Sequence, residues 1–266
     1  MRVSVITVSL NAAACIETAL QSVQAQTYPH IDHVIVDGGS TDGTLEIINR
    51  HRQKLGQVIS EADRGVYHAM NKGVRLATGD ILFFLNTDDR FVDDQVVADV
   101  VSVFTQHPKV QVVYGNLIWE SPEIRVRKEQ QPVITRELLA RRTVLHQTVF
   151  AKREVFALTG GFSEQYRIVG DYEWLVRVFL RDRHNYVYYN RDIAFMGTGG
   201  LSRTTKWEGE RLQAMLQHFS LYEIVKYRIW PRQKAALEER LKKGRSSTRE
   251  MMRGVLRRSS VNEKRS

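Results

Sequence analysis

The chain has 266 residues, 42% of them hydrophobic and 26% charged, with 17 Gly, 5 Pro and one Cys. This composition suits one or two cored globular domains and excludes collagen-like, low-complexity and disulfide-scaffold classes, while a lone thiol makes the cytosol the expected compartment. The formal charge of +9 is unevenly placed: residues 226–266 hold 14 Lys and Arg against 4 Asp and Glu, leaving 25 against 26 in residues 1–225.

Val3–Ser9 is a β-branched run interrupted by Ser4, Thr7 and Ser9, and reads as a buried strand rather than the core of a signal peptide. Behind Asn11, a candidate N-cap, Ile16, Ala19, Leu20 and Val23 recur at helical spacing. Val34–Val36 predicts a second strand, ending in the turn Asp37-Gly38-Gly39-Ser40-Thr41-Asp42-Gly43, and Leu45 and Ile48 carry the next helix. Val58 and Ile59 make a short strand, Val66, Met70, Val74 and Ala77 line a helix face, and Ile81–Leu85 is another buried strand. Val96, Val97, Val100, Val101 and Phe104 mark a further helix, and Val110–Tyr114 is expected as a fifth strand. This alternation predicts an α/β fold, a mostly parallel sheet flanked by helices. The second half is less regular: a strand near Gln147–Ala151, a helix starting near Asp171, an aromatic run at Tyr186–Tyr189, and helix from Trp207 onward. No window reaches the roughly 18 to 20 apolar residues that a membrane span needs.

Ligands of open parallel sheets bind beyond the carboxyl ends of the strands. Those ends carry Ser9 and Asn11, then Asp37, then Glu61 and Asp63, then Asn86, Asp88 and Asp89, a converging acidic rim. Adjacent carboxylates such as Asp88 and Asp89 are unfavourable unless solvated or neutralised by a cation. A hard divalent ion would suit them, and an Asx-turn or helix cap is the alternative. Neither a P-loop nor a dinucleotide fingerprint is present.

The set Thr7-Val8-Ser9-Leu10-Asn11, Val36-Asp37-Gly38-Gly39-Ser40-Thr41-Asp42-Gly43-Thr44, Asp63-Arg64-Gly65-Val66-Tyr67-His68-Ala69-Met70-Asn71-Lys72-Gly73 and Leu85-Asn86-Thr87-Asp88-Asp89 resembles family 2 glycosyltransferases of the GT-A (Rossmann-like) fold, in particular bacterial members that build surface polysaccharide. His146-Gln147-Thr148-Val149-Phe150, Gly160-Gly161-Phe162 and Gly170-Asp171-Tyr172-Glu173-Trp174-Leu175 extend the likeness to about residue 205. The resemblance implies a nucleotide-sugar-binding half (1–115), an acceptor-binding half of the same domain (116–205) and, outside it, a basic amphipathic helical tail (206–266). It implies nucleotide contacts from Thr7, Ser9, Asn11, Asp37, Arg64, Asn71, Lys72 and Asp88, with Asp37 accepting a hydrogen bond from the base. It also implies Mn²⁺ or Mg²⁺ at Asp88 or Asp89, and a catalytic base at Asp171. Asn86 stands where the strict metal motif has its first Asp, so both following carboxylates stay candidates. His146, Gly170, Glu173, Gly200 and Ser202 are expected at the substrate. Asp171 could instead cap its helix, and His146 could be a structural hydrogen-bonder.

The implied activity is metal-dependent, inverting transfer of a hexosyl group from a nucleotide donor, expected to be a UDP-sugar, to a hydroxyl of a glycan or lipid-linked glycan in surface polysaccharide biosynthesis. An inactive sugar-nucleotide-binding protein of the same fold is the alternative. Phe219, Leu221, Tyr222, Ile224, Val225, Ile229 and Trp230 lie among Lys226, Arg228 and Arg232, a pattern that fits an anionic membrane surface better than nucleic acid. The expected location is therefore cytoplasmic, peripheral on the inner face of the cell membrane.

Overall fold

Every residue of the strand β1 (Val3–Ser9) but Val8 is buried, which places this β-branched run at the centre of the sheet. The computed structural model describes residues 1–181, 185–197, 207–229 and 231. In chain order β1 is followed by α1 (Ile16–Gln24), β2 (Ile31–Asp37), α2 (Thr44–Arg50), β3 (Val58–Ser60), α3 (Val66–Leu76), β4 (Ile81–Phe84), β5 (Arg90–Phe91) and α4 (Val96–Gln106). Then come β6 (Val112–Glu120), β7 (Arg125–Lys128), α5 (Arg136–Arg141), β8 (Val149–Lys152), α6 (Arg153–Thr159), α7 (Gly170–Val176), β9 (Tyr186–Met196), α8 (Glu208–His218) and α9 (Leu221–Ile224).

The strands form one nine-stranded sheet of order β3-β2-β1-β4-β8-β6-β9-β5, with β7 paired to β6. β3, β2, β1 and β4 run parallel, as the alternating pattern predicts. Val110–Tyr114 enters β6, which does not adjoin β4: β8 lies between them, antiparallel to both. This insertion brings the second half of the chain into the same sheet, and it is anchored by aromatic stacking. Phe83 of β4 stacks on Phe150 of β8 at 4.1 Å between centroids and on Phe91 at 5.1 Å.

Helices cover both faces. α1 buries Ile16, Ala19, Leu20 and Val23, the stripe its spacing predicts, and α4 buries Val96, Val97, Val100, Val101 and Phe104. α3 lies directly on β1, since a Cβ on Gly73 would sit 2.4 Å from Ile6 Cγ2. Only a residue without a side chain permits that approach, and it brings the first turn of α3 to the strand ends.

The chain forms two compact units, Met1–His218 and Phe219–Ser266. The first contains the whole sheet and α8. In the second, Ser220 and Glu223 form a capping box at the start of α9, and a π-helical turn spans Val225–Ile229. No helix among the described residues is long and apolar enough to cross a membrane. Gly200, Ser202, Trp230 and the basic stretch beyond Pro231 lie outside the described residues.

Truncation of Phe83, fully buried between two aromatic rings, tests the join between β4 and β8. Phe83→Ala is expected to cost about 3–5 kcal/mol in urea denaturation, the usual penalty for emptying an aromatic core position.

Candidate active site

The strand ends of the parallel half are tied together before any ligand is considered. Asn11 adopts a left-handed backbone (φ 50), a conformation Asn tolerates better than most residues. There its side-chain oxygen accepts from Thr41 N (3.0 Å) while its own N–H donates to Ser40 Oγ (2.8 Å). Asp42 and Thr44 accept in turn from the Ala13 and Ala12 amides, so the loops after β1 and β2 form one hydrogen-bonded platform.

Asp37 is the keystone of that platform. Its carboxylate is fully buried and accepts five hydrogen bonds: Oδ1 from Ser9 Oγ and Ser40 Oγ, Oδ2 from Gly39 N, Ser40 N and Ser60 Oγ. Burial pushes this carboxyl up, but the donors outweigh it and hold it below the ordinary carboxylate range. Both oxygens are thus turned to their own loops. Thr7 is likewise buried, its hydroxyl 3.1 Å from Nε2 of His33, an imidazole that burial drives down to about 3 and keeps neutral.

The next turn of chain places Lys72 and Arg64. Lys72 is buried, with Nζ 2.8 Å from Glu61 and 3.3 Å from Ala62 O. Both line a cleft of about 550 Å³ with Glu61, Ala62, His68 and Arg75, which neither Asp88, Asp89 nor Asp171 lines. Arg64 pairs with Glu164 at 3.0 Å. Asn71 exchanges two hydrogen bonds with the backbone of Phe162, each 2.9 Å, and so clamps the Gly160-Gly161-Phe162 turn to α3.

Beyond β4 lies the acidic pair. Asp88 is half-buried and Asp89 is 1% exposed. Asp89 accepts from Asn86 Nδ2 (2.8 Å) and from Gly197 N at the end of β9 (3.1 Å). Asn86, where the strict motif has an acid, is therefore a donor that holds the buried carboxylate. Burial, then the charge of Asp88, push Asp89 up to about 7. Two adjacent carboxylates, one of them desolvated, create a demand for positive charge. Among the described residues, no group of three or more His, Cys, Asp or Glu could hold a metal alone.

The acceptor half supplies the other centre. Asp171, in the first turn of α7, accepts from His146 Nδ1 at 2.8 Å through Oδ2 and from the Tyr67 hydroxyl at 2.9 Å through Oδ1. Burial pushes Asp171 up, but the imidazole and the other donors win and hold it below its ordinary value. His146 is shifted the other way: burial lowers it, and the Asp171 hydrogen bond and charge, with the charge of Asp89, raise it further. Asp89 and His146 thus lie within reach of each other's charge.

Neighbouring residues support that site. Gly170 packs under the Tyr67 ring, where a Cβ would meet Cδ2 at 2.7 Å. Glu173 is buried and paired with Arg177 (2.8 Å) and His218 (2.9 Å), which places it in a structural ion cluster. Trp174 stacks on Phe156 at 4.4 Å in the core. Glu210 of α8 accepts from the amides of Arg167, Ile168 and Val169 and fixes the loop that presents Asp171.

The sequence does not single out Tyr67 or Glu210 as members of the site, and it marks Asn86 as a departure from the metal motif without showing that its amide donates to Asp89. Tyr67 lies in the motif at the start of α3, but its partner is 104 positions away, and no local pattern marks it.

Comparison with known proteins follows this geometry. Residues 4–161 match the family described as Glycosyl transferase family 2. The chain is 34% identical over 235 residues to a "PGL/p-HBAD biosynthesis glycosyltransferase" of Mycobacterium tuberculosis, covering 86% of this chain and 91% of that one. Its fold is similar to that of S. aureus TarS 1-349 in complex with UDP-GlcNAc (TM-score 0.68, 18% identity, 86% of this chain and 68% of that one). It is also similar to the mannosyltransferase PcManGT from Pyrobaculum calidifontis in complex with GDP-Man and Mn²⁺ (TM-score 0.58, 22% identity, 82% of this chain and 62% of that one). A longer TarS chain is matched over 37% of its length.

Asp37 provides a test of the platform. Because its folded carboxyl lies below the ordinary value, its stabilisation is present above about pH 3.9 and is lost as pH falls through the folded value. Asp37→Asn should flatten the acid limb of a stability–pH curve. Asp37→Ala, which strands buried donors, should cost at least about 3 kcal/mol in urea denaturation at pH 7.

Proposed function

The chain belongs to glycosyl transferase family 2, and from that premise we propose that it is a metal-dependent, inverting enzyme that moves a hexosyl group from a nucleotide donor, a UDP-sugar, to a hydroxyl of a glycan or lipid-linked glycan during surface polysaccharide synthesis. The observation that carries this reading is the placement of two complementary centres within electrostatic reach of one another. An acidic pair, half-buried Asp88 and fully buried Asp89, lies beyond β4, and the charge of Asp89 reaches His146, whose ring is paired with Asp171.

Displacement at an anomeric carbon needs exactly these two capacities. The acceptor hydroxyl loses a proton on one face of the sugar while the diphosphate departs from the other, and a single displacement inverts the centre. The His146–Asp171 pair supplies the proton acceptor. Asp88 and Asp89 would hold Mn²⁺ or Mg²⁺, and such an ion commonly binds through one or two carboxylates together with substrate phosphates. When bound, that ion stabilises negative charge on the departing diphosphate. The loop platform after β1 and β2, with Ser9, Asn11 and Asp37 at its base, presents the backbone surface against which the nucleotide would lie. Thr7 and Asp37 support it from inside, Lys72 and Arg64 offer positive charge at its edge, and Asn71 ties the Gly160-Gly161-Phe162 turn to α3. Solved neighbours with UDP-GlcNAc and with GDP-Man and Mn²⁺ on this fold support a nucleotide-sugar donor.

The second unit supports a location at the inner face of the cell membrane. Leu221, Tyr222, Val225 and Ile229 are exposed beside Lys226 and Arg228, an apolar and basic combination suited to an anionic bilayer surface.

Two measurements test these assignments. EDTA should abolish transfer of radiolabelled hexose from UDP-glucose or UDP-GlcNAc and added Mn²⁺ should restore it; undiminished transfer in EDTA removes the role given to Asp88 and Asp89. The double substitution Leu221→Ser, Tyr222→Ser should release the protein from sedimenting vesicles that contain phosphatidylglycerol. Unchanged sedimentation would make this unit an ordinary solvated helix.

A further inference from the structure

We propose that Tyr67 is a positioning residue for the proton transfer: its hydroxyl, set between the Asp171 carboxylate and the carbonyl of Ile168, holds that carboxylate in both of its protonation states. The inference rests on the transferase reading above, with Asp171 as the base, and adds a residue that acts through it.

Tyr67 stands in the first turn of α3, a helix pinned to β1 by the close approach of Gly73 to Ile6. Its side chain is buried, with the ring against Gly170 and 5.9 Å from the Phe162 ring. One helical turn later, Asn71 exchanges hydrogen bonds with the backbone of Phe162. The ring is therefore fixed from both sides. Its hydroxyl donates to Asp171 Oδ1 at 2.9 Å, while His146 Nδ1 holds Oδ2 at 2.8 Å. Among the described residues these are the side-chain donors to Asp171, whose side chain is 21% exposed, so lone pairs remain for the proton of an acceptor hydroxyl. The same phenol oxygen lies 2.5 Å from Ile168 O.

One hydroxyl hydrogen thus faces two acceptors, and the charge of Asp171 decides which of them holds it. Ionised, Asp171 only accepts, and it draws the hydrogen to Oδ1. Burial and that same charge push the Tyr67 phenol above its ordinary value, so it keeps its hydrogen. In the reaction the acceptor O–H gives its proton to Asp171, its oxygen bonds to the anomeric carbon, and the bond from that carbon to the diphosphate oxygen breaks with its electron pair leaving on the nucleotide. A neutral carboxyl attracts the phenol hydrogen less, and Ile168 O takes it; the phenol oxygen is then free to accept from the carboxyl. A phenylalanine offers neither bond. The ionisable groups facing Asp171 are Tyr67 from α3 and His146 from the turn before β8, whose ring also feels Asp89 beyond β4. Glu210 of α8 holds the amides of Arg167, Ile168 and Val169 in the same loop. Both the hydroxyl and the imidazole favour the anion, so removing the hydroxyl raises Asp171.

The test uses the full chain and Tyr67→Phe, which keeps the ring and removes only the hydroxyl, with melting curves confirming the fold. With radiolabelled UDP-glucose, UDP-GlcNAc and GDP-mannose as donors and water or p-nitrophenyl glycosides as acceptors, kcat should fall roughly 10- to 10²-fold with little change in donor KM. The acid limb of the kcat profile, where the base takes up a proton, should move to higher pH. In protein carrying ¹³C-carboxyl-labelled Asp, the Asp171 resonance, identified by its absence in Asp171→Asn, should likewise titrate at higher pH in Tyr67→Phe than in wild type. A kcat within about twofold of wild type, an acid limb that does not move, or a resonance that titrates at the wild-type pH overturns the proposal. Turnover that survives Asp171→Asn would instead overturn the base assignment, and wild-type protein that uses none of these donors would overturn the transferase reading. The carboxyl titration tests Tyr67 in both cases.

Discussion

The hydrogen-bonded pair of Asp171 and His146 is the contact on which the arrangement of the site depends. Its members come from different elements, α7 and the turn before β8, and Tyr67 of α3 completes it from the other half of the chain. The Asp171 side chain is 21% exposed and is held as an anion by these donors. Bringing them together depends on β8 lying between β4 and β6, on Gly170 leaving room for the Tyr67 ring, and on Glu210 holding the loop ahead of α7. The fold of the second half can be understood as the means of meeting these three conditions.

Two different electrostatic solutions coexist a short distance apart. Asp37 and Asp171 are stabilised as anions by internal donors, and their carboxyls fall below the usual range. Asp89 has only the Asn86 amide and the Gly197 N–H against burial and the charge of Asp88, and it rises. The first two are balanced by the protein's own donors; the proposed cation would balance the third. That contrast distinguishes Asp89 from Asp37 and Asp171 more sharply than the presence of acids at strand ends does.

The legible part of the molecule is the part governed by local periodicity. β1, β2 and β4 declare themselves as continuous apolar or β-branched runs, α1 and α4 by burial at period 3.6, and Asp88 and Asp89 stand out because adjacent acids end an apolar strand. Residues whose roles depend on distant partners were harder to read. Nothing near Thr7 in sequence shows that its hydroxyl meets His33, and although Arg177 stands at helical ion-pair spacing from Glu173, no spacing reveals His218 as its second partner. The antiparallel insertion of β8 is set by aromatic stacking between Phe83 and Phe150, a pairing of residues 67 positions apart. The net charge follows the same division: residues 1–225 are nearly neutral, and the positive excess lies in residues 226–266.

The central claim is that the acidic pair beyond β4 and the His146–Asp171 pair flank one reaction centre. Crystallography of the protein with Mn²⁺ and a non-hydrolysable UDP-glucose analogue tests it directly. The account predicts an anomalous Mn²⁺ peak within bonding distance of Asp88 or Asp89 and a sugar whose anomeric carbon faces the His146–Asp171 pair. A nucleotide lodged in the cleft formed by Glu61, His68 and Lys72, with no metal at the acidic pair and the sugar remote from His146, would contradict it.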